Sequence, residues 1–481
     1  MSLQDRIQSR NPDPVAPVTR EQHSEPERPS APTDPFADLK SRVHHDVITR
    51  LGPRLFAAGG DEGRDASIEP RVLEAVEEAI ALDKTPLTRQ ERAQVTREIA
   101  DDILGYGPLE PFLRDETVSE IMVNGPHSIW VERRGKLLRT DAGFVDDQHL
   151  LRIIDKIISR VGRRIDEASP MVDARLPDGS RVNAIIPPLA VTGPTLTIRK
   201  FRRDPLTMED LLRFGTLTPR AAQLLEACVR GKLNILISGG TGSGKTTTLN
   251  VLSGAIPEGE RIVTVEDAAE LQLRQEHVIT LETRPANIEG KGMVSIRDLV
   301  RNCLRMRPDR IIVGECRGPE TIDILQAMNT GHDGSLTTIH ANTPRDALSR
   351  VETLVLTGGV ELPLKAIREQ IASAFDMVVQ VSRLVDGTRR ITHITEVLRM
   401  ESDVVTLQDL FSAKPVEDSD EASGNASRLL GPMRASGIKP QFLSKLGENG
   451  VHLPPQFFQL EPERGDGSGP ARPTAFGRAS A

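Results

Sequence analysis

Residues 233–246 read LNILISGGTGSGKT, an apolar run that leads directly into a loop rich in glycine. Residues 239–246 fit the pattern G-x-x-x-x-G-K-[ST], and residues 247–252 (TTLNVL) are compatible with a helix. Glycine lets such a loop point successive backbone N–H groups at phosphate oxygens, and the following helix adds the positive end of its dipole. The strand before the loop and the helix after it are the context that a true site requires. The sequence therefore predicts a nucleotide-binding core rather than a glycine-rich surface turn.

The residues of this loop have distinct predicted roles. Lys245 is expected to reach the β- and γ-phosphates of ATP, and the hydroxyl of Thr246 is expected to bind Mg²⁺. ATP and Mg²⁺ are therefore the predicted cofactors. The other predicted nucleotide contacts belong to the loop and the first helical turn: Gly239, Gly240, Thr241, Gly242, Ser243, Gly244 and Thr247.

Length and composition limit the classes of protein to consider. A chain of 481 residues is long enough for two or three domains, each with its own core. The net charge of −8 gives no global basic surface for nucleic acid, and 3% aromatic residues provide few platforms for stacked bases. The scattered cysteines, Cys228, Cys303 and Cys316, indicate neither a disulfide framework nor a four-Cys zinc site. Without a signal peptide or a long apolar segment, the chain is predicted to be cytoplasmic and to reach a membrane only by docking.

Composition and periodicity divide the chain into predicted regions. Residues 1–35 are rich in proline and charge and are predicted to be disordered. Helical spacing of apolar residues over 36–105 predicts a small helical bundle. Short alternating strands and one helix over 106–205 predict an α+β domain. Over 206–411, apolar strands alternate with helical patterns, which is typical of a parallel sheet covered by helices.

Two expectations concern the end of this core and the tail. Residues 377–381 and 391–394 are predicted to pair as a hairpin that closes the sheet. Residues 412–481 are rich in serine, glycine and proline and are predicted to be a mostly disordered tail. The apolar pairs at 442–443 and 457–458 are the tail residues that could dock on the folded part.

Three further strands of the predicted core end in polar side chains. Glu266 and Asp267 follow the first of these strands, Glu315 follows the second and His340 follows the third. Ligands bind where the strands of a parallel sheet end, so we expect these side chains to lie near Lys245. Glu266 and Asp267 are the predicted carboxylates for Mg²⁺ and its waters, and His340 is placed to sense the γ-phosphate.

Hydrolysis also needs a group that orients or deprotonates water. Glu315 is the first choice because it follows an apolar strand, as the acid of a Walker B motif does, and Glu266 is the second. The alternative for either is a carboxylate that caps a helix or forms an ion pair. His340 alone could be a hydrogen-bonded core residue, but its company with His332 in a glycine-containing run favours a role at the nucleotide.

Phosphoryl transfer calls for cationic charge near the transition state, often from an arginine of a neighbouring subunit. Four arginines are candidates for that contact: Arg199, Arg284, Arg301 and Arg305. Each has an equal alternative as an ordinary surface or ion-pair arginine.

Four ordered motifs carry a resemblance to a known family: residues 239–246, 264–267, 311–315 and 331–340. In this order they resemble the Walker A, Asp, Walker B and His boxes of the type II/type IV secretion ATPase superfamily. The resemblance covers about residues 36–400 and is strongest to the CpaF-like ATPases of tight-adherence (Flp) pilus systems. Further motifs of that branch lie at residues 104–109, 120–125, 178–183 and 282–287.

The resemblance completes the predicted fold and function. The fold is expected to be α/β, a RecA-like P-loop NTPase core with a preceding α+β domain and a small N-terminal helical bundle. The resemblance implies a ring-shaped homohexamer on the inner face of the bacterial cytoplasmic membrane, with nucleotide held between the two domains of a subunit. Hydrolysis would move these domains and drive a membrane platform protein that assembles pilin. Three scattered cysteines cannot supply the four-Cys zinc element of the pilus-extension and type II branches, which favours the CpaF-like or conjugative branch.

Two other functions stay open at the level of sequence. A DNA translocase or helicase would use the same RecA-like core, but the few aromatic residues and the acidic net charge count against nucleic acid as a partner. A nucleotide-dependent scaffold that binds but scarcely hydrolyses would not need both Glu266 and Glu315.

Overall fold

We describe a computed structural model of the 481-residue chain. The residues that it describes are 35–57, 68–201, 205–284, 286, 291–359, 361–413 and 430–460. The disorder predicted for residues 1–34, 414–429 and 461–481 lies outside these ranges and stays a prediction. Among the described residues, no helix combines the length and the hydropathy needed to cross a membrane.

Helices form the first part of the described chain: α1 (Ala37–Ala57), α2 (Ile68–Leu82) and α3 (Arg89–Leu104). They pack around apolar residues with helical spacing, including the fully buried Val47, Val72 and Val76. A capping box starts α3, because the Thr88 hydroxyl accepts the backbone N–H of Glu91 and the Glu91 carboxylate accepts that of Thr88. The helices predicted from apolar spacing are therefore present.

An α+β unit follows: α4 (Glu110–Arg114), β1 (Val118–Asn124), β2 (Ile129–Arg133), β3 (Lys136–Arg139), α5 (Asp147–Arg160), β4 (Met171–Arg175), β5 (Arg181–Ile185) and β6 (Thr195–Arg199). In the described residues its strands form a six-stranded antiparallel sheet in the order β3-β2-β1-β6-β5-β4. Helix α5 starts at the Asp146 cap and buries a stripe that includes Leu150, Ile154 and Ile157 in the core of this unit.

The remaining elements form the core that carries the glycine-rich loop. They are α6 (Met208–Arg213), α7 (Pro219–Arg230), β7 (Ile235–Gly239), α8 (Lys245–Ser253), β8 (Ile262–Glu266), β9 (Val278–Glu282), α9 (Ile296–Cys303), β10 (Arg310–Val313), α10 (Glu320–Asn329), β11 (Leu336–Ile339), α11 (Pro344–Thr357), α12 (Leu364–Ala374), β12 (Met377–Arg383), β13 (Arg389–Glu401), β14 (Val404–Ser412), β15 (Arg434–Ala435) and α13 (Leu443–Glu448).

In the described residues these strands form a nine-stranded sheet in the order β15-β14-β13-β12-β7-β11-β10-β8-β9. The strands from β12 to β9 in this order are parallel. Strands β7, β8, β10 and β11 are buried along their whole length because helices cover both faces. The predicted fold class, α/β with a RecA-like P-loop NTPase core behind an α+β domain and a small helical bundle, is confirmed. The domain limits drawn from sequence stay predictions.

The predicted hairpin forms, but the prediction that it closes the sheet is wrong. Strand β12 pairs with β13 in antiparallel register, from Met377 opposite Glu396 to Arg383 opposite Arg389. Strand β13 runs on to Glu401 and pairs with β14 along its other edge. The sheet therefore continues beyond the hairpin, because β13 is 13 residues long and offers hydrogen bonds on both edges.

Residues 430–460, which we name the C-terminal strap, are ordered, so the disorder predicted for this part of the tail is wrong. The predicted docking of the apolar pairs at 442–443 and 457–458 is confirmed. Phe442, Leu446 and Phe458 are buried in the same apolar cluster as β7. The Glu396 carboxylate accepts the backbone N–H groups of Gln441 and Phe442 at 2.7 and 3.0 Å. A few well-spaced apolar residues thus order this segment, although its average composition resembles that of a disordered chain.

Candidate nucleotide site

The glycine-rich loop joins the end of β7 to the start of α8. Gly242 and Gly244 have φ values of +67° and +99°, which side chains with a Cβ rarely adopt. A Cβ on Gly239 would lie 2.4 Å from the carbonyl oxygen of Val381, so the close approach of β12 also requires glycine. The buried Ser243 hydroxyl donates to the Gly240 carbonyl at 2.9 Å and fixes the turn. The loop thus has the tight turn that lets backbone N–H groups face phosphate oxygens, and the N-terminus of α8 follows it.

Lys245 is the first residue of α8, and its side chain folds back over the loop. Its Nζ donates to the Gly240 carbonyl at 3.1 Å. Burial lowers the pKa of Lys245, whereas the negative charge of Glu315 raises it and the charges of Arg317 and Arg199 lower it. The predicted phosphate-binding lysine therefore shares one electrostatic environment with the predicted base and with an arginine of the preceding domain.

Glu315 and Asp267, from the ends of neighbouring strands, meet at one arginine. Nε and Nη2 of Arg317 lie 2.8 and 2.6 Å from Glu315 Oε2, and Nη1 lies 3.2 Å from Asp267 Oδ2. Burial alone would lower the pKa of Arg317, but the two carboxylates raise it. Arg317 was not among the predicted site residues, because its place two residues after the predicted base follows no known spacing rule.

Glu266 is the last residue of β8 and is buried. Its carboxylate accepts the backbone N–H groups of Glu270 and Leu271 at 3.0 and 3.1 Å. Burial raises the pKa of Glu266 to about 7, although these hydrogen bonds oppose the shift. A Cβ on Gly314 would lie 3.0 Å from Glu266 Cγ, so glycine there leaves room for the side chain. Glu266 thus orders the segment after β8, and its role toward Mg²⁺ stays a prediction.

The two predicted histidines lie at opposite ends of β11. His340 follows β11 at the carboxyl end of the parallel strands, where the phosphate loop also lies, and its side chain is exposed. His332 precedes β11, and its Nδ1 lies 3.3 Å from the Ala327 carbonyl at the end of α10. The sequence grouped the two because they share one motif, but a four-residue strand separates them. Placing His332 at the nucleotide of its own subunit is therefore wrong.

The four candidate arginines also divide between the two ends. Arg199 ends β6 and lies 3.8 Å from Glu270 Oε1, and Arg284 follows β9 and donates to the Gly292 carbonyl at 2.7 Å. Both therefore lie at the carboxyl end of the parallel strands in the nine-stranded sheet, although Arg199 itself belongs to the six-stranded sheet. Arg301 is paired with Asp323 of α10 at 2.8 Å, and Arg305 is exposed between α9 and the start of β10. Of these four arginines, Arg199 also acts on the pKa of Lys245, so the geometry brings it near the loop of its own subunit. Arg284 follows the edge strand β9, and roles for it, Arg301 and Arg305 at the nucleotide stay predictions.

Basic side chains of the six-stranded sheet lie against the carboxyl end of the core. Arg175 Nη1 is 2.7 Å from Glu282 Oε2, and Arg181 Nη2 donates to the Ala268 carbonyl at 2.8 Å. These contacts, like that of Arg199, come from strands β4 to β6. The preceding α+β unit therefore borders the same loops that hold the predicted catalytic groups.

The donor set fits Mg²⁺ bound together with a nucleotide. In the described part of the chain, no three His, Cys, Asp or Glu side chains cluster as they do around a metal ion held by protein alone. Mg²⁺ in phosphate-transfer sites is bound by one or two side chains together with phosphate oxygens and water. Thr246 at the start of α8, Glu266 at the end of β8 and Asp267 after it stay the predicted donors of this kind.

Comparison with known proteins places the chain in a family. A family model described as "Type II/IV secretion system protein" matches residues 102–421, more than half of the chain. The chain belongs to the type II/IV secretion ATPase family. The helical bundle before residue 102 and the C-terminal strap lie outside the matched part of this secretion ATPase.

Two individual relatives of the secretion ATPase agree with this assignment, and one solved structure is also similar in sequence. A Mycobacterium tuberculosis protein named for conjugal transfer is 40% identical over 314 residues, which are 64% of this chain and 89% of that protein. The type IV secretion system protein PtlH of Bordetella pertussis is 37% identical over 309 residues, 59% of this chain and 91% of that protein. The crystal structure of the VirB11 ATPase of Brucella suis is 30% identical and covers 60% of this chain and 94% of its own, with a TM-score of 0.33.

Proposed function

We propose that this chain is an ATP-hydrolysing motor, active as a homohexamer, that powers assembly of a tight-adherence (Flp) pilus or a related type II/IV secretion process. Its place would be the inner face of the bacterial cytoplasmic membrane, reached through a membrane platform protein. The observation that carries the proposal is the convergence of Lys245, Glu315, Asp267 and Arg317 at the end of the sheet that also holds the phosphate loop. A scaffold that only binds nucleotide would not need a carboxylate base held beside the phosphate-binding lysine.

Each group has a proposed step in hydrolysis. Lys245 and the loop N–H groups bind the phosphates. Thr246 and Asp267, with Glu266, would hold Mg²⁺, which would neutralise charge on the phosphate oxygens. Glu315 orients and deprotonates the attacking water. Since Glu315 is held by Arg317, that guanidinium fixes the direction of the carboxylate.

The contacts between the α+β unit and the core support a motor that moves by domain closure. The ion pair between Arg175 and Glu282 is partly exposed, and such pairs contribute only about 0–1 kcal/mol. Contacts this weak can be broken and remade during a cycle. A nucleotide held between two domains would shift them by its different affinity for the closed and open arrangements.

Two truncations test the proposal. We expect that removing residues 1–35 leaves ATP turnover intact, whereas removing everything before Leu206 cripples turnover even when the core still folds and binds nucleotide. Turnover is measured with purified protein by release of phosphate, and binding by titration with a fluorescent ADP analogue. Equal turnover of the two truncated proteins would mean that the α+β unit only recruits partners.

The cellular part of the proposal needs a separate test. A strain that lacks the gene is expected to lose the pilus or the secreted product, and the wild-type gene is expected to restore it. The Lys245→Ala gene serves as the matched control, because its product keeps every docking surface and lacks only the phosphate contact. Restoration by that variant would rule out a motor that depends on ATP.

A further inference from the structure

Two arginines outside the predicted site lie against the phosphate loop. Arg383 ends β12, Arg389 starts β13, and the two are opposite each other in the register of the hairpin. Val381 of β12 lies beside Gly239 of β7, so the tip of the hairpin extends just past the loop. We name Arg383 and Arg389 the arginine pair.

The arginine pair contacts the two glycines of the loop that have positive φ. Arg389 Nε donates to the Gly242 carbonyl at 2.8 Å, and a Cβ on Gly244 would lie 3.3 Å from Arg389 Cδ. A Cβ on Gly242 would lie 3.5 Å from Arg383 Nη1. Both guanidinium groups therefore pack against Gly242 and Gly244. Glycine has the greatest backbone freedom of any residue, so these two positions lose the most entropy when the loop is ordered.

The other side of the arginine pair contacts the preceding domain. Arg383 Nη2 donates to the Gly135 carbonyl in the turn between β2 and β3, at 2.5 Å. Arg389 Nη2 lies 3.4 Å from Glu132 Oε1. Glu132 is 8% exposed, and a carboxylate that is so buried costs free energy unless a cation compensates it. One pair of side chains thus bridges the phosphate loop and the six-stranded sheet.

Two arginines opposite each other in a hairpin cost free energy unless other groups compensate their charges. Like charges directly opposite each other in an antiparallel pair destabilise a sheet. Here the two positive charges are compensated by loop and turn carbonyls and by the Glu132 carboxylate, which belong to two different domains. Movement of either domain would therefore leave an arginine without part of its partners.

We propose that Arg389 is a positioning residue that holds the phosphate loop in its nucleotide-binding shape, and that Glu132 and Gly135 make this hold depend on the position of the preceding domain. The inference deepens the proposed function and rests on it for its role in the motor cycle. The link itself is a matter of nucleotide affinity and can be measured without hydrolysis.

A double-mutant cycle tests the link in the full-length protein. A hydrogen bond from a charged group contributes enough that Arg389→Gln is expected to raise the Kd of a fluorescent ADP analogue about tenfold. Glu132→Gln is expected to raise it about threefold, because Arg389 is 41% exposed and lies 3.4 Å from the buried Glu132 carboxylate, which makes this ion pair weak. The double variant is expected to match Arg389→Gln alone, because Glu132 acts on the loop only through Arg389.

Controls separate positioning from folding. Arg399→Gln removes an exposed arginine further along β13 and is expected to leave the Kd unchanged. Arg389→Lys keeps a cation beside Glu132, so it is expected to restore part of the affinity and to unfold within about 2 °C of the wild type without nucleotide. Arg389→Gln leaves the Glu132 carboxylate uncompensated and is expected to unfold at a lower temperature than Arg389→Lys. If the fold-changes in Kd of Arg389→Gln and Glu132→Gln multiply in the double variant, the two residues act independently and the link is overturned. An unchanged Kd in Arg389→Gln would also overturn it. A wild type that binds nucleotide tightly without hydrolysing it would instead refute the proposed motor and leave the link standing.

Discussion

The two ends of the nine-stranded sheet are built from different interactions. At the carboxyl end, partly exposed side chains such as Glu315, Asp267 and Arg317 pair with one another across loops. At the amino end, polar groups are buried and tied to backbone. Arg310 is fully buried, its Nε lies 2.5 Å from Glu260 Oε2, and its Nη1 donates to the Gly334 carbonyl at 3.1 Å.

The C-terminal strap completes the amino end. Lys445 Nζ lies 2.8 Å from both Asp333 Oδ1 and Asp376 Oδ2. Burial raises the pKa of Asp376, and Lys445 opposes that rise by stabilising the charged carboxylate. Asn234 adds a hydrogen bond from its side chain to the Ala374 carbonyl at 2.8 Å. The comparison shows that the two ends of one sheet serve different purposes. The carboxyl end carries exposed ion pairs suited to chemistry, and the amino end carries a buried polar network that stabilises the fold.

The largest expected effect belongs to the carboxyl end. Lys245→Ala removes the main cationic contact to the γ-phosphate, so we expect turnover to fall more than about 1,000-fold and nucleotide binding to weaken sharply. The unfolding temperature should change little, because the Lys245 ammonium donates to a carbonyl of its own loop and ties no distant segments together. Phosphate release and thermal unfolding measure the two quantities. Near-normal hydrolysis would remove the assignment of the phosphate loop.

Glu315→Gln should separate binding from chemistry at the same end. The amide keeps the shape of the side chain but removes the base, so ATP affinity should be retained while turnover falls by at least about 100-fold. Glu266→Gln is the matched variant, because Glu266 is the other strand-end glutamate and is already held by backbone N–H groups. If Glu266→Gln loses hydrolysis and Glu315→Gln stays active, the two roles must be exchanged.

At the amino end the same kind of test should change stability and leave chemistry alone. Leu446→Ala empties a fully buried position in the strap and should lower the free energy of unfolding by about 3 kcal/mol. Leu460→Ala is the control, since Leu460 belongs to the same strap and is 69% exposed. Denaturant unfolding gives the stability, and nucleotide titration of the folded protein should give unchanged affinity. If Leu446→Ala lowered the free energy of nucleotide binding by more than the free energy of unfolding, the contrast between the two ends would be wrong.

The smallest expected effect is a change in the pH dependence of stability, and it comes from Glu266. This residue lies at the carboxyl end of the sheet, but it is buried and bonded to backbone like the polar groups of the amino end. Its pKa is about 7 in the folded chain against a reference value of 4.5, so the folded state binds more protons between these values. The contribution of Glu266 to stability is therefore greatest below pH 4.5 and falls as the pH rises toward 7. Glu266→Gln stays neutral, so between pH 5 and 7 it should lose about 2 kcal/mol less stability than the wild type. Parallel curves of stability against pH for the two proteins would mean that the carboxylate is not desolvated.

The sequence predicted the carboxyl end better than the amino end for a physical reason. Glu266 ends an apolar strand, and Lys245, Glu315 and His340 each follow one. A parallel sheet brings such positions together without further information. The apolar stripe of helix α5, which includes Leu150, could be predicted for a similar reason, because its residues lie close together in the sequence.

Interactions between distant segments could not be predicted in this way. Lys445 finds its two carboxylates 112 and 69 positions away, and Arg389 reaches Glu132 across 257 positions. His332 was misplaced because proximity in a motif was taken for proximity in space. Arg317 was missed because an arginine after an acid has no spacing rule of its own.

The strap has a consequence for how the protein is made. Its residues Phe442, Leu446 and Phe458 fill the same cluster as Ile235, which precedes them by about two hundred positions. Synthesis runs from the N-terminus, so every motif of the nucleotide site leaves the ribosome while that cluster still lacks part of its contents. A chain interrupted before residue 430 would carry the complete set of motifs on an unfinished core with exposed apolar surface. The apolar cluster of the nucleotide domain can therefore be completed only after translation has passed the strap.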